Sequence, residues 1–283
     1  VTNVEDDHMD HYGTMENIIK AFRQFIENTA EQDGYAVLCF ENENLRAIAK
    51  TIDRKYYSYA IDCPADYQAK NIRTEGKGIA FDVVHGAETL GRVTLNIPGR
   101  HNVLDALACI VTGLSIGVPF PKMAAGLAAF HGAKRRFQTK GHVRGVWIVD
   151  DYAHHPTEIA ATLKAARETA PKRLICAFQP HRYSRTQLLA KEFGRAFVSA
   201  DILVLTDVYG AGEAPIPGIS GETIRAEVER QTGAHVIYVP RREDVAAKLA
   251  ALAADGDLII TMGAGDIYRS GEELVALLEK KNA

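Results

Sequence analysis

The stretch Val146-Trp147-Ile148-Val149-Asp150-Asp151-Tyr152-Ala153-His154-His155-Pro156-Thr157-Glu158 decides how this chain folds. Four apolar residues end in two acids, and a polar loop then leads into a segment that opens on proline. A continuous apolar run suits a strand covered on both faces, and Pro suits the first turn of a helix. The rhythm repeats. Further candidate strands are Arg173–Phe178, Ile202–Thr206, His235–Val239 and Leu258–Thr261, with helices expected at Thr157–Glu168, Arg185–Ala200 and Gly221–Gln231. Such alternation predicts an α/β fold: an open, largely parallel sheet with helices on both faces.

In that architecture ligands sit outside the carboxyl ends of the strands. Polar clusters fall there four times: Asp150 to His155, Gln179-Pro180-His181-Arg182, Asp207, and Gly263-Ala264-Gly265-Asp266. Their convergence on one rim points to a site. Arg182 and Arg185 beside a helix start can hold a carboxylate or phosphate through planar guanidinium donors, or they form a solvated surface pair. Asp150 and Asp151 can hold ribose hydroxyls or a metal, or cap the next helix, although Thr157 is also available as a cap. His154 and His155 are ligands, proton carriers or turn residues.

Moving upstream, His131-Gly132-Ala133-Lys134-Arg135-Arg136-Phe137 is a basic joint, where the domain boundary is placed: residues 1–135 and 136–283. Before it, Pro121 opens one helix. Another, His101 to Gly117, carries Leu104, Leu107, Ala108, Val111 and Leu114 on one face. Tyr56–Ala60, Ile79–Val84 and Val93–Ile97 read as a small, mostly antiparallel excursion, and Tyr35–Phe40 as a buried strand. Thr14 caps a helix whose apolar positions are Ile18, Ile19, Phe22, Phe25 and Ile26. Val1–Val4 reads as the end of a strand that runs into the polar loop Glu5-Asp6-Asp7-His8-Met9-Asp10-His11, so the chain is expected to be a piece of a longer protein. That loop offers hard ligands for Mg²⁺, and His8-Met9-Asp10-His11 also has the H-x-D-H spacing of binuclear metallohydrolases.

Across 283 residues, 47% hydrophobic and 24% charged composition describes a globular core rather than a disordered chain. A net charge of −3 provides no field for nucleic acid, and no apolar run spans a bilayer. The four cysteines form no C-x-x-C pair, and three lie in apolar runs, as expected for buried thiols in a cytoplasmic protein. Neither phosphate-binding glycine fingerprint is present: no G-x-x-x-x-G-K-[ST] occurs, and Gly263-Ala264-Gly265 lacks the third glycine. The residues alone lead to an α/β enzyme that binds an anionic ligand.

Several strings together go further. Thr2-Asn3-Val4-Glu5-Asp6-Asp7-His8-Met9-Asp10, Pro98-Gly99-Arg100-His101-Asn102 and Arg135-Arg136-Phe137 resemble motifs of the Mur ligase family. So do Asp150 to Glu158, Phe178 to Thr186, and Tyr209-Gly210-Ala211-Gly212-Glu213-Ala214-Pro215-Ile216-Pro217-Gly218. The resemblance runs from residue 1 to the end of the chain. It implies the remainder of a P-loop-type central ATPase domain followed by a Rossmann-like C-terminal domain. It also implies ATP-dependent ligation in peptidoglycan synthesis, with L-alanine joined to UDP-N-acetylmuramate through an acyl phosphate, and small-molecule substrates rather than nucleic acid or membrane.

The same resemblance gives residue roles. His8 would ligate Mg²⁺, and His8, Arg136 and His154 would be catalytic. His101, Asn102, Asp105, Arg136 and Asp151 would meet the nucleotide. Tyr152, His154, Arg182, Arg185 and Ala264 would form the amino-acid pocket. At Asp105 the family often has Asn. A carboxylate accepts from the adenine amine but donates nothing to N7. The competing readings are a non-catalytic remnant that binds nucleotide or amino acid, and the metallohydrolase.

Overall fold

The computed structural model describes residues 1–6 and 9–280 and divides into two units, Val1–His131 and Gly132–Ala283. In the first, a short α1 (Met9–Tyr12) precedes α2 (Met15–Glu27), and the Thr14 hydroxyl caps α2 by accepting from the Asn17 amide. Then come β1 (Ala36–Cys39), α3 (Glu43–Ala49), β2 (Tyr56–Ala60), β3 (Tyr67–Glu75), β4 (Gly78–His85) and β5 (Glu88–Leu95). Helices α4 (Arg100–Ser115) and α5 (Phe120–Ala129) complete the unit. The sheet runs β1-β2-β3-β4-β5. The expected mostly antiparallel excursion holds for β3, β4 and β5, which pair antiparallel, whereas β2 pairs in parallel with both β1 and β3. Strand β3, polar over most of its length, was outside the sequence reading.

The first core joins Ile18 and Ile26 of α2 and Leu45 of α3 to Val103, Leu107, Ile110 and Val111 of α4 and to Tyr59, Phe81 and Val83 of the sheet. Two expected core positions differ. Phe25 is 67% exposed, and Cys109 lies on the exposed face of α4, because that helix turns Val103, Ala106 and Ile110 inward instead. Val1 donates to Val37 O and accepts from Cys39 N, so the first residues lie alongside β1 as a parallel strand would, with Val4 fully buried.

The second unit contains β6 (Gln138–Val143), β7 (Val146–Asp151), α6 (Pro156–Glu168), β8 (Arg173–Phe178), α7 (Tyr183–Leu188), α8 (Ala190–Ala196) and β9 (Ile202–Leu205). It continues with α9 (Gly221–Thr232), β10 (Val236–Tyr238), α10 (Arg242–Leu252), β11 (Asp257–Met262) and α11 (Tyr268–Lys280). The single helix expected over Arg185–Ala200 is two, which meet at Leu189. Sheet order is β10-β9-β8-β11-β7-β6, all parallel except the edge strand β6.

Side chains alternate across a strand, so both faces of this sheet need cover. On one face Val149, Leu174, Cys176, Phe178, Leu205 and Ile260 pack with Ile159, Phe193 and Ile224 from α6, α8 and α9. On the other, Ile148, Ile175, Val204 and Ile259 pack with Val245, Leu249, Leu274 and Leu278 from α10 and α11. Register then fixes the site. Met262 pairs with both Asp151 and Phe178, and Phe178 with Leu205, so four strands end level with one another. Among the described residues no helix is long and apolar enough to cross a membrane.

Candidate functional site

The level strand ends bring the four polar clusters of the second unit onto one rim. At its base lies a buried ionic knot. Asp150 is fully buried, accepts from Thr261 Oγ1 at 2.8 Å and from Arg135 Nε at 3.0 Å, and is pushed above the usual carboxylate range by burial. The Arg135 guanidinium also donates to Gly263 O at 2.6 Å and Gly265 O at 3.1 Å. It lies over the rings of Tyr152 and Tyr268, 4.9 and 4.8 Å from their centroids. One arginine thus ties the joint to the ends of β7 and β11. The sequence motif pointed to Arg136, whose side chain is 56% exposed and 3.9 Å from Glu158.

Asp151 spends its carboxylate on the backbone. One oxygen accepts from Phe137 N and the other from Ala153 N, each at 2.8 Å, and burial pushes the group up to about 6. Neither Asp150 nor Asp151 caps α6. That helix begins after His155, and the Glu158 carboxylate accepts from the amides of His154 and His155 at 3.0 and 3.2 Å. This bend turns His154 back to the rim, where its Nδ1 lies 3.1 Å from Tyr152 O and 3.4 Å from Glu158.

Four rings form an arc along the rim. Tyr152 meets His154 edge-to-face at 5.4 Å, His154 meets His181 at 5.8 Å, and His181 stacks on Tyr209 at 5.8 Å and 12°. The arc ends beside the two predicted arginines. Arg185 Nη1 is 3.4 Å from His181 Nδ1. Since arginine only donates, that nitrogen accepts and the His181 proton sits on Nε2. Burial, then His154, Arg185 and Arg182, push His181 down to about 4, so near neutral pH it is an uncharged donor. Arg182 begins α7 with φ 70° and ψ 137°, an unusual backbone for a residue with a Cβ.

Beside the Tyr209 end of the arc, the turn after β11 carries Ala264. Gln179, 5% exposed, donates to Asp266 Oδ1 at 3.0 Å and accepts from Ile267 N at 3.2 Å, which pins this turn to the end of β8. The turn needs its glycines. At Gly263 (φ 144°) a Cβ would sit 2.6 Å from Gln179 O, and at Gly265 one would sit 2.4 Å from Gln179 Oε1 and 2.7 Å from Tyr209 Cγ.

The structure therefore gathers Asp151, Tyr152, His154, Arg182, Arg185 and Ala264 with Arg135, His181 and Tyr209, whose roles local sequence did not mark. Their sequence signal was membership of a quoted string, Arg135 in the basic joint, His181 after β8 and Tyr209 at the head of Tyr209–Gly218, with no role attached. His101, Asn102 and Asp105 lie on the first turns of α4 in the other unit, where Asn102 Nδ2 donates to Pro98 O at 2.6 Å and lies 3.1 Å from His101 Nε2. Asp105 is exposed. His8 lies outside the described residues, as does its neighbour Asp7. Among the described residues no three His, Cys, Asp or Glu side chains gather to hold a metal ion.

The chain can now be set beside known proteins. Residues 1–113 match the family model of the Mur ligase middle domain, and residues 135–265 that of the Mur ligase glutamate ligase domain. The UDP-N-acetylmuramate–L-alanine ligase of Pelotomaculum thermopropionicum is 46% identical over 281 residues, covering 99% of this chain and 61% of the relative. That of Geobacter sulfurreducens is 44% identical over 282 residues, with the same coverage, 99% and 61%. The chain thus spans 61% of the length of these relatives. Among solved structures, the UDP-N-acetylmuramate–alanine ligase MurC of Thermotoga maritima has a TM-score of 0.77 at 25% identity, covering 99% of this chain and 59% of that one. The MurF ligase of the same organism, in complex with ADP, shares the fold at a TM-score of 0.76 and 19% identity, covering 100% and 62%. With two family domains matched in order and this likeness along its length, the chain belongs to the Mur ligase family, of which it carries the middle domain and the glutamate ligase domain.

Proposed function

We propose that this chain serves the ATP-dependent joining of L-alanine to UDP-N-acetylmuramate in peptidoglycan synthesis, in the cytoplasm. The observation that carries this reading is the 46% identity, over 99% of the chain, to a ligase named for that reaction. In it the γ-phosphoryl group of ATP passes to the muramoyl carboxylate. The alanine amine then attacks the acyl phosphate, and phosphate leaves as the amide forms. Such transfer works chiefly by positioning and electrostatics. Mg²⁺, when bound, would gather phosphate charge. Arg182 and Arg185 would grip the alanine carboxylate, with His181 Nε2–H as a further neutral donor. Tyr152, His154 and Ala264 would line the pocket, and Arg136 would steer phosphate charge. His101 and Asn102 would meet adenine, with Asp105 accepting from its amine. Asp151 would shape the nucleotide loop; its oxygens retain lone pairs for a ribose hydroxyl beyond the two amides they already hold.

The test joins residues 1–283 to the part of the Pelotomaculum relative that lies outside the match and measures L-alanine-dependent phosphate release. A charge-assisted hydrogen bond contributes about 1.5–3 kcal/mol. Arg182→Ala or Arg185→Ala is therefore expected to raise the KM for L-alanine about ten- to a hundredfold and to leave that for ATP within about twofold. The opposite pattern would place the arginines on the nucleotide, and absence of alanine-dependent turnover in the unmutated chimera would overturn the reading itself.

A further inference from the structure

We infer that Tyr209 determines specificity at the rim: its ring is a rigid wall that closes the amino-acid pocket against side chains larger than a methyl group. The inference rests on the L-alanine reading above and gives a role to a residue that the motif contains but the pocket assignment left out.

Tyr209 is held by its backbone, on one ring face and at the root of its ring. Its backbone extends the sheet beyond the ends of β8 and β9, where its amide donates to Pro180 O at 2.8 Å and its carbonyl accepts from Arg182 N at 2.9 Å. One ring face stacks on His181. At the root of the ring lies Gly265, where a Cβ would approach Tyr209 Cγ to 2.7 Å and Tyr209 Cβ to 3.0 Å, so the base of the side chain sits directly against the backbone of the β11 turn. The residue as a whole is 40% exposed. A ring stacked on an imidazole and seated at its root on a glycine backbone resists displacement, and a wall that resists displacement rejects a ligand for one or two extra carbons.

Its neighbours define what it would meet. Tyr209 is joined through one backbone hydrogen bond to Arg182, and through His181 to Arg185 and His154. Gly265 follows Ala264 directly. A zwitterionic amino acid with its carboxylate on the two arginines thus has Tyr209 as the fixed aromatic surface beside it. The chemistry fits an α-amino acid with a very small side chain.

The experiment uses the 283-residue chain and follows L-alanine and L-valine binding by NMR chemical-shift titration, with circular dichroism as the check on folding. The unmutated chain is expected to favour L-alanine over L-valine by roughly 10- to 200-fold, the range that one or two carbons supply in an apolar pocket. Tyr209→Phe should keep that ratio, and Tyr209→Ala should collapse it to within about threefold, mostly by gaining L-valine. Should Tyr209→Ala not fold, Tyr209→Leu, which retains bulk against Gly265, gives the same readout with a smaller change. An unchanged ratio in folded Tyr209→Ala or Tyr209→Leu overturns the inference and leaves the L-alanine reading intact. Collapse in Tyr209→Phe overturns it too, since the hydroxyl and not the ring would then discriminate. Failure of the unmutated chain to bind either amino acid overturns the L-alanine reading and this inference with it.

Discussion

Asp151 gives each of its two oxygens to a backbone amide, and yet burial holds its pKa near 6 against an ordinary value of 3.8. The sign follows from linkage. Between those values the folded chain keeps a proton that the unfolded chain has released, so the stabilisation is fully present below about pH 4 and is lost as pH rises through 6. Asp151→Asn removes that dependence. It also costs about 1–3 kcal/mol at all pH values, because an amide has one acceptor oxygen for two N–H donors. In urea unfolding from pH 4 to 7.5, the unmutated chain is expected to be the more stable, with a gap that narrows by on the order of 1–3 kcal/mol as pH rises. A gap that widens with pH would contradict this account. Sequence position marked Asp151 as special, but its two amide donors come from a loop 14 residues upstream and from the bend just after it, and only folding brings them together.

At the scale of elements, the junction of β8 with α7 concentrates the site. Arg182 adopts φ 70° there while its amide continues the ladder to Tyr209. A backbone of this kind costs about 1–3 kcal/mol in a residue with a Cβ and persists where the surroundings impose it. Glycine has no such cost. Arg182→Gly is therefore expected to leave stability unchanged or raise it by about 1 kcal/mol, while L-alanine binding falls at least tenfold. Thermal unfolding beside an alanine titration checks the pair. A large loss of stability would mean that the arginine side chain, and not its backbone, carries the junction. The strand and helix here were both legible from an apolar run and the turn residues after it. The break of the following helix at Leu189 was not, because the apolar pattern continues across it.

The molecule as a whole comprises two units with separate cores. In the second, helices cover both faces of a sheet whose strands are nearly all buried. Such a unit has what independent folding requires. A polypeptide of residues 132–283 is expected to unfold in one cooperative urea transition, with mixed α/β circular dichroism and dispersed amide resonances. A broad, non-cooperative transition would show that it depends on the first unit.

Local pattern determined the α/β class, the rhythm of strands and helices in the second half, the helix cap at Thr14 and the placement of polar clusters at strand ends, because each depends on neighbouring residues alone. It missed β3 and β6, which are polar, and it did not give the parallel direction of β2, because pairing partners lie outside any local window. Strand order and register were settled only in three dimensions. They bring Arg135 to Gly263 and Gly265 across some 130 residues, set Tyr209 between His181 and Gly265, and so decide which residues near the motifs hold the rim and which face a ligand. Sequence-distant side chains meet only after the hydrophobic faces of the sheet are buried.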